Sequence, residues 1–268
     1  MKTPAARPRV PLSPERPGAI RVTEHYACFE GEGRTLGART WLLRLSGCDL
    51  RCWWCDSKQS SFFEDEAREL DPDEVERAAL ASGAAWLSLT GGEPTWRGEG
   101  ELRALAGLCR RLRRSGLKVK VESNGRRIPA ELDGLVDLWS IAPKWDGRRK
   151  GSAARTPAMD HDPGVLAAFV EAHAPARLQL KFVITDAAGA PRRTDLDRAG
   201  ALLCGLPASA RRTPVFFIPE AYAPGDYLER CRRLETEVAR LAQGPLDGFD
   251  LRVQPQWHRV LHGDARGR

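Results

Sequence analysis

The stretch that decides the reading is Cys48-Asp49-Leu50-Arg51-Cys52-Trp53-Trp54-Cys55, three cysteines at Cys-x3-Cys-x2-Cys spacing. Thiolates this close converge on a common partner, because disulfides between near neighbours are strained and three sulfurs leave one over. A structural zinc site wants a fourth ligand. The next cysteine is Cys109, and no histidine follows until His161. Three protein ligands leave one coordination position open, and an open position is where a metal centre does chemistry. Zinc is one reading of this spacing. A cluster with four protein thiolates has little support, since ferredoxin-like runs supply the fourth cysteine in register. The other reading is a 4Fe-4S cluster on Cys48, Cys52 and Cys55, its fourth iron free for a small chelating molecule. Cys109, Cys204 and Cys231 lie in helix-like stretches and read as small buried hydrophobes, as does Cys28.

Working outward, the chain of 268 residues suits one large domain. Seven cysteines, an odd number with three clustered, point to a reducing compartment rather than a disulfide framework. No apolar run is long enough to span a membrane, and the N-terminus lacks the apolar stretch of a signal peptide, so a cytoplasmic protein is expected. The net charge of +6 raises the question of nucleic acid. The basic residues are spread along the chain without an aromatic-rich motif, and pairs such as Arg110-Arg111 read as the wet face of a helix. An anionic small substrate is the more economical use of an arginine, and no nucleic-acid partner is expected.

Residues 1–18, rich in Pro, Arg and Ala, read as a flexible extension, and 19–268 as one core domain with a C-terminal tail on the substrate side. An extended stretch from Ile20 to Phe29 enters Glu30-Gly31-Glu32-Gly33, a turn that lets backbone approach a ligand. Thr40 to Leu45 is a strand candidate that carries Arg44 inside an apolar run. A buried arginine needs a partner, either a carboxylate-bearing ligand or a salt bridge to a neighbouring strand. Further strands are expected at Ala85–Leu89, Lys118–Glu122, Leu135–Ile141, Leu178–Ile184, Pro214–Ile218 and Asp250–Val253. Helices are expected at Asp71–Ala81, around Leu102 to Leu112, at Pro163–His173, at Asp195–Cys204 and from Leu228 to Leu241. Strands alternating with helices imply a parallel sheet. About seven strands and five clear crossovers fall short of a closed eight-fold barrel, so the fold class is α/β, a partial, open (β/α)6 barrel. Ligands bind at the C-terminal ends of such strands. There lie the cysteine loop, Thr90-Gly91-Gly92-Glu93-Pro94, Ser123-Asn124-Gly125, Ala142-Pro143-Lys144 and Pro219-Glu220-Ala221-Tyr222.

Taken with the cysteine loop, Gly91-Gly92-Glu93-Pro94 resembles the motif by which the radical S-adenosylmethionine (SAM) superfamily binds the SAM amino group. The resemblance narrows with Phe29-Glu30-Gly31-Glu32-Gly33, Gly37, Arg44, Gly47 and Cys55-Asp56-Ser57, then Glu122-Ser123-Asn124-Gly125 and Ala142-Pro143-Lys144. The closing Pro255-Gln256-Trp257-His258, with Gly263 and Arg266-Gly267, completes it. Together these look like the 7-carboxy-7-deazaguanine synthase family, over nearly all the chain after residue 20. Glu30 stands where many members carry glutamine, Ser57 where they carry threonine, and Pro219-Glu220 departs from a glutamine-containing run.

The resemblance implies a radical SAM fold and a ring contraction, 6-carboxy-5,6,7,8-tetrahydropterin to 7-carboxy-7-deazaguanine with loss of ammonia, on the route to queuosine and related deazapurines. It implies a 4Fe-4S cluster on Cys48, Cys52 and Cys55 that cleaves SAM reductively to a 5′-deoxyadenosyl radical, which takes a hydrogen from C6 of the pterin and later returns it. By position it assigns SAM contacts to Gly92, Glu93, Ser123, Asn124, Ala142, Pro143, Lys144, Pro219 and Glu220. It assigns substrate contacts to Phe29, Glu30, Gly31, Glu32, Arg44 and Thr90, and a magnesium ligand to Ser57, whose hydroxyl is an acceptable hard donor. It further implies a homodimer and an electron donor of flavodoxin type. The rival readings are another radical SAM enzyme, such as a glycyl-radical activase with the same cysteine spacing, and a metal-stabilised nucleic-acid-binding module.

Overall fold

The computed structural model of the chain describes residues 14–52, 54–62, 66–144, 162–185, 195–221 and 226–263. Its first half comprises β1 (Ile20–Phe29), β2 (Arg39–Leu45), α1 (Lys58–Ser61), β3 (Arg68–Leu70), α2 (Pro72–Ala81), β4 (Trp86–Gly91), α3 (Glu99–Arg114), β5 (Lys118–Ser123) and α4 (Ala130–Asp133). There follow β6 (Leu138–Ile141), α5 (Pro163–Ala172), β7 (Leu178–Ile184), α6 (Asp195–Cys204), β8 (Val215–Pro219), α7 (Tyr227–Ala242), β9 (Leu251–Val253) and α8 (Trp257–His262). Helices α2, α5 and α7 start at aspartate caps. Asp71 accepts from the Asp73 amide at 2.8 Å with Pro72 in the first turn, and Asp226 caps α7 in the same way.

All nine strands join one sheet in the order β3-β1-β2-β4-β5-β6-β7-β8-β9. From β2 to β9 the pairings are parallel, at β2–β4, β4–β5, β5–β6, β6–β7, β7–β8 and β8–β9. β1 and β3 add antiparallel strands at one edge. The two edges do not pair, so the barrel is partial and open, as expected, with one more parallel crossover than the five read from sequence. Strand β3 and helices α1, α4 and α8 are additions to that reading, α1 and α4 being only four residues each. Three residues are too short for a periodic signal, and six at the end of the chain read as tail.

Alternation along the strands separates two environments. Leu43, Leu45, Leu87, Leu89, Val119, Val121, Leu180 and Phe182 face the helices, where Leu102, Leu105, Leu108 and Leu112 of α3 and Phe169 of α5 complete the core. Trp139 packs edge-on against Phe169 and His173. The opposite face carries Leu42, Arg44, Ser88, Thr90, Glu122 and Lys181 and opens to the cavity described below. Residues 14–18 of the expected extension are fastened to β3, where the amides of Glu15 and Arg16 donate to the Glu69 carboxylate. Residues 1–13 lie outside the described residues. No helix among the described residues is long and apolar enough to cross a membrane.

Leu87 is wholly buried between sheet and helices. Leu87→Ala is expected to lower unfolding stability by about 2–5 kcal/mol, measured by urea titration of the apoprotein. A loss below about 1 kcal/mol would mean that this layer is loosely packed.

Candidate active site

Two loops define the site. The first follows β2. At its neck, Gly92 and Glu93 lie directly against Gly47: the amide of Glu93 donates to the Gly47 carbonyl at 2.8 Å, and that of Gly92 to Leu45 at 2.8 Å. A Cβ on residue 92 would sit 1.8 Å from the Gly47 oxygen, so only glycine permits the approach. Beyond the neck, Asp49 is held from β5, accepting from Asn124 Nδ2 at 2.8 Å and pairing with Arg126 at 3.2 Å. Leu50, Cys52 and Trp54 pack with Val183 of β7 in a small apolar cluster of their own.

Cys48, Cys52 and Cys55 line one cavity of about 540 Å³, and all are free thiols. Burial pushes the Cys48 thiol well up and Cys52 up to about 12, and each is raised further by a neighbouring member of the trio. Among the described residues, the group of three ligand side chains with atoms all within 4.8 Å of one another is Glu32, Asp56 and His258, not the cysteines. A single zinc ion would need sulfurs roughly 3.8 Å apart. The donor set is all sulfur, with Cys52 buried and Cys48 and Cys55 half-buried, and it is not gathered as one ion requires, which suits a multi-iron cluster.

The second loop, Gly91-Gly92-Glu93, presents backbone to the same cavity. The Glu93 carboxylate is buried and fully engaged. Oε1 accepts from the Thr95 amide at 2.9 Å, the Thr95 hydroxyl at 2.8 Å and Ser123 Oγ at 2.8 Å, while Oε2 accepts from the Asn124 amide at 2.7 Å. Burial and the nearby Asp49 raise its pKa against these donors. Ser123 and Asn124 thus organise Glu93 and the cysteine loop together. Thr90, Ala142, Lys144 and Glu220 also line the cavity, whereas Pro143 and Pro219 are not among its lining residues. Glu220 is buried and lies 3.8 Å from Arg230. Tyr222, and Arg266 and Gly267 of the closing motif, lie outside the described residues.

The floor of the cavity is ionic. Lys120 Nζ sits 3.0 Å from Glu30 and 2.7 Å from Glu122, and Lys181 Nζ sits 3.1 Å from Glu122 and 2.8 Å from Glu32. Carboxylate and ammonium therefore alternate from Glu30 to Glu32. Burial opposes ionisation of Glu122, but the two lysines outweigh it and hold the carboxyl far below the usual range. Burial likewise opposes charge on Lys181, and Glu122 and Glu32 reverse it, so the ammonium is held well above its ordinary value. Glu30 has one lysine rather than two, and burial prevails, raising its pKa.

The turn that carries Glu30 and Glu32 is locked to the far end of the sheet order. The Gly33 amide donates to Gln254 Oε1 at 2.6 Å, the Trp257 amide to Gly31 at 3.2 Å, and Gln256 Nε2 to Glu32 Oε1 at 2.8 Å. Gly33, with φ of 71°, leaves room for Gln179, which a Cβ would meet at 2.2 Å. Phe29 stands exposed at the rim of the cavity. Arg44 takes the salt bridge of the two sequence expectations, pairing with Glu24 on β1 at 2.9 Å, and its side chain also lines the cavity. Asp56 keeps a lowered pKa despite burial because Arg44, His258, Lys181 and Lys144 face it. Sequence reading missed Lys120, Lys181 and Glu122 as site residues. The signal was there, since charges at alternate positions of otherwise apolar strands must face inward.

The sequence pattern of the Radical SAM superfamily matches residues 43–142, from β2 to the end of β6. The chain is 32% identical over 255 residues to a 7-carboxy-7-deazaguanine synthase of Pyrobaculum aerophilum, covering 93% of this chain and 97% of that one. It is 30% identical over 261 residues to the one of Halobacterium salinarum, covering 92% of each. The solved structure of QueE from Escherichia coli superposes with a TM-score of 0.58 at 19% identity, over 88% of this chain and 94% of that chain. The protein is therefore of the radical SAM class, with the fold and the three-cysteine loop that define it. Within that class, the chain belongs to the 7-carboxy-7-deazaguanine synthase family. Membership implies a 4Fe-4S cluster and SAM.

Removing one lysine from the ionic floor has a signed consequence. In the wild type, the depressed Glu122 pKa contributes stability that is complete above the unfolded carboxylate pKa and is lost only in strong acid. Lys181→Met strips Glu122 of one of its two cations, costs about 3–5 kcal/mol at pH 7, and raises the Glu122 pKa. The deficit against wild type should shrink as pH falls from 7 to 5 in urea titrations, because the folded variant then takes up a proton. A deficit that grows on acidification would contradict the pairing.

Proposed function

We propose that this protein converts 6-carboxy-5,6,7,8-tetrahydropterin to 7-carboxy-7-deazaguanine with loss of ammonia. The observation that carries the reading is that the three cysteines, which mark the superfamily, and Glu30, Gly31 and Glu32 of the turn, which mark the family, border one cavity. Its two ends differ in chemistry. One has thiols and open backbone at Gly91 and Gly92; the other has Glu30, Glu122, Lys181 and Glu32, with Lys120 buried against Glu30 and Glu122.

Cys48, Cys52 and Cys55 hold the cluster, and the backbone at Gly92, together with Ala142, Lys144 and the segment at Glu220, receives SAM. When bound, the cluster and SAM supply a carbon-centred radical able to take hydrogen from unactivated carbon. The protein's own residues bind, orient and shield. Glu30 and Glu32 accept from the donor-rich pyrimidine edge of the substrate, Lys120 and Lys181 pair with those carboxylates from behind, and Arg44 and Thr90 fix the ring between floor and cluster. Glu93, whose carboxylate accepts four hydrogen bonds from Thr95, Ser123 and Asn124, shapes its loop at the cavity wall. Magnesium would be held at Ser57, with the carboxylate of Asp56, next in sequence, as a further oxygen donor; Asp56 also groups with Glu32 and His258. The reading extends to a cytoplasmic homodimer served by a donor of flavodoxin type.

The deciding assay is anaerobic incubation of the reconstituted protein with the pterin, SAM and a reductant. Ammonia and 7-carboxy-7-deazaguanine are expected in equal amounts. SAM cleavage without either product would turn the reading to a different radical SAM enzyme. Ser57→Ala and Asp56→Asn should each raise the magnesium needed for half-maximal rate by roughly tenfold or more. An unchanged magnesium response would remove both from the site.

A further inference from the structure

Arg97, three residues past the Gly91–Pro94 motif, is 1% exposed. Nothing in its sequence position marks it, and it does not border the cavity. Its guanidinium nevertheless spends all three nitrogens on main-chain carbonyls of the two loops. Nε donates to Glu93 at 3.1 Å, Nη2 to Gly47 at 3.0 Å, and Nη1 to Ser46. The Gly47 carbonyl is the same oxygen that accepts from the Glu93 amide and that excludes a side chain at residue 92.

The counter-charge is Glu101 on α3, 4.0 Å from Nη1. That contact is long, and Glu101 Oε2 is among the buried atoms without a hydrogen bond in the described residues. The other oxygen, Oε1, accepts from the Arg21 amide of β1 at 2.8 Å. The guanidinium is thus aimed at the loop carbonyls in preference to its own carboxylate. A buried ion pair of this kind is a poor source of stability compared with apolar packing, so its geometry is its use. Arginine alone offers a rigid fork of donors able to span three acceptors; lysine presents a point charge.

We infer that Arg97 is a positioning residue that fixes the distance between the loop bearing Cys48 and the loop presenting Gly92 and Glu93. It rests on the reading that the first holds the cluster and the second receives SAM. It acts by fixing where SAM sits relative to the iron, through the main-chain carbonyls of Ser46, Gly47 and Glu93.

The test compares Arg97→Lys with Glu101→Gln in the full-length protein, reconstituted anaerobically. Iron content and thermal unfolding are read first, then SAM affinity by equilibrium binding, and the change in the electron paramagnetic resonance spectrum of the reduced cluster on adding SAM. Arg97→Lys should load about four irons per chain, as the wild type does, but bind SAM about tenfold or more weakly, the scale of one lost charge-assisted hydrogen bond. Its SAM-induced spectral change should be reduced. Glu101→Gln, which keeps the three carbonyl bonds, should unfold at lower temperature with SAM affinity and spectrum unchanged. Wild-type affinity and spectrum in Arg97→Lys would overturn the inference. So would equal losses of SAM affinity in the two variants, which would mean general loosening. If Arg97→Lys does not fold, the inference stands or falls on whether Glu101→Gln keeps SAM affinity. A wild type that fails to load iron would instead overturn the cofactor reading.

Discussion

A charge taken out of water must meet its opposite within a few ångströms or give up its proton, and the inside of this barrel is built around that constraint. Strand alternation sends Lys120 and Glu122 of β5 and Lys181 of β7 to the inner face. Two lysines with one carboxylate between them leave one positive charge over, and the turn after β1 brings Glu30 and Glu32 against it, one carboxylate more than balance needs, with the Glu30 pKa raised. This pairing draws the turn across the cavity. The turn in turn is fastened to Gln254, Gln256 and the Trp257 amide beyond β9. One electrostatic requirement therefore positions three parts of the chain that are remote in sequence. The cavity walls follow from it.

The other end of the cavity is held by backbone rather than charge. Glycine at residue 92 lets two loops touch, Glu93 gathers Thr95, Ser123 and Asn124, and Asp49 ties the cysteine loop to Asn124 and Arg126. The thiols and the open backbone are consequently presented by a frame whose polar atoms are already satisfied. Such a frame has little freedom to move when a cofactor arrives, which is the property a radical enzyme needs in order to keep its intermediate from side reactions.

How much of this was legible in the sequence depended on range. Local signals carried well: the Asp71-Pro72 helix start and the leucines of α3 at helical intervals both describe what is found. Strand β7 matched its expected bounds, Leu178–Ile184. Strand β3 left no trace because Arg68-Glu69-Leu70 is too short to show a period. The ion pair between Glu32 and Lys181 joins residues from opposite parts of the chain, and no local pattern encodes which lysine meets which carboxylate. Arg97 was illegible for a related reason: its acceptors are main-chain carbonyls, which every residue possesses.

The account as a whole turns on three cysteines that leave one iron of a four-iron cluster to SAM. Mössbauer spectroscopy of protein loaded anaerobically with iron-57 tests this directly. One iron site of four should differ from the rest and change its isomer shift when SAM is added. Four irons that are insensitive to SAM, or a protein that retains zinc and takes up no iron, would contradict it.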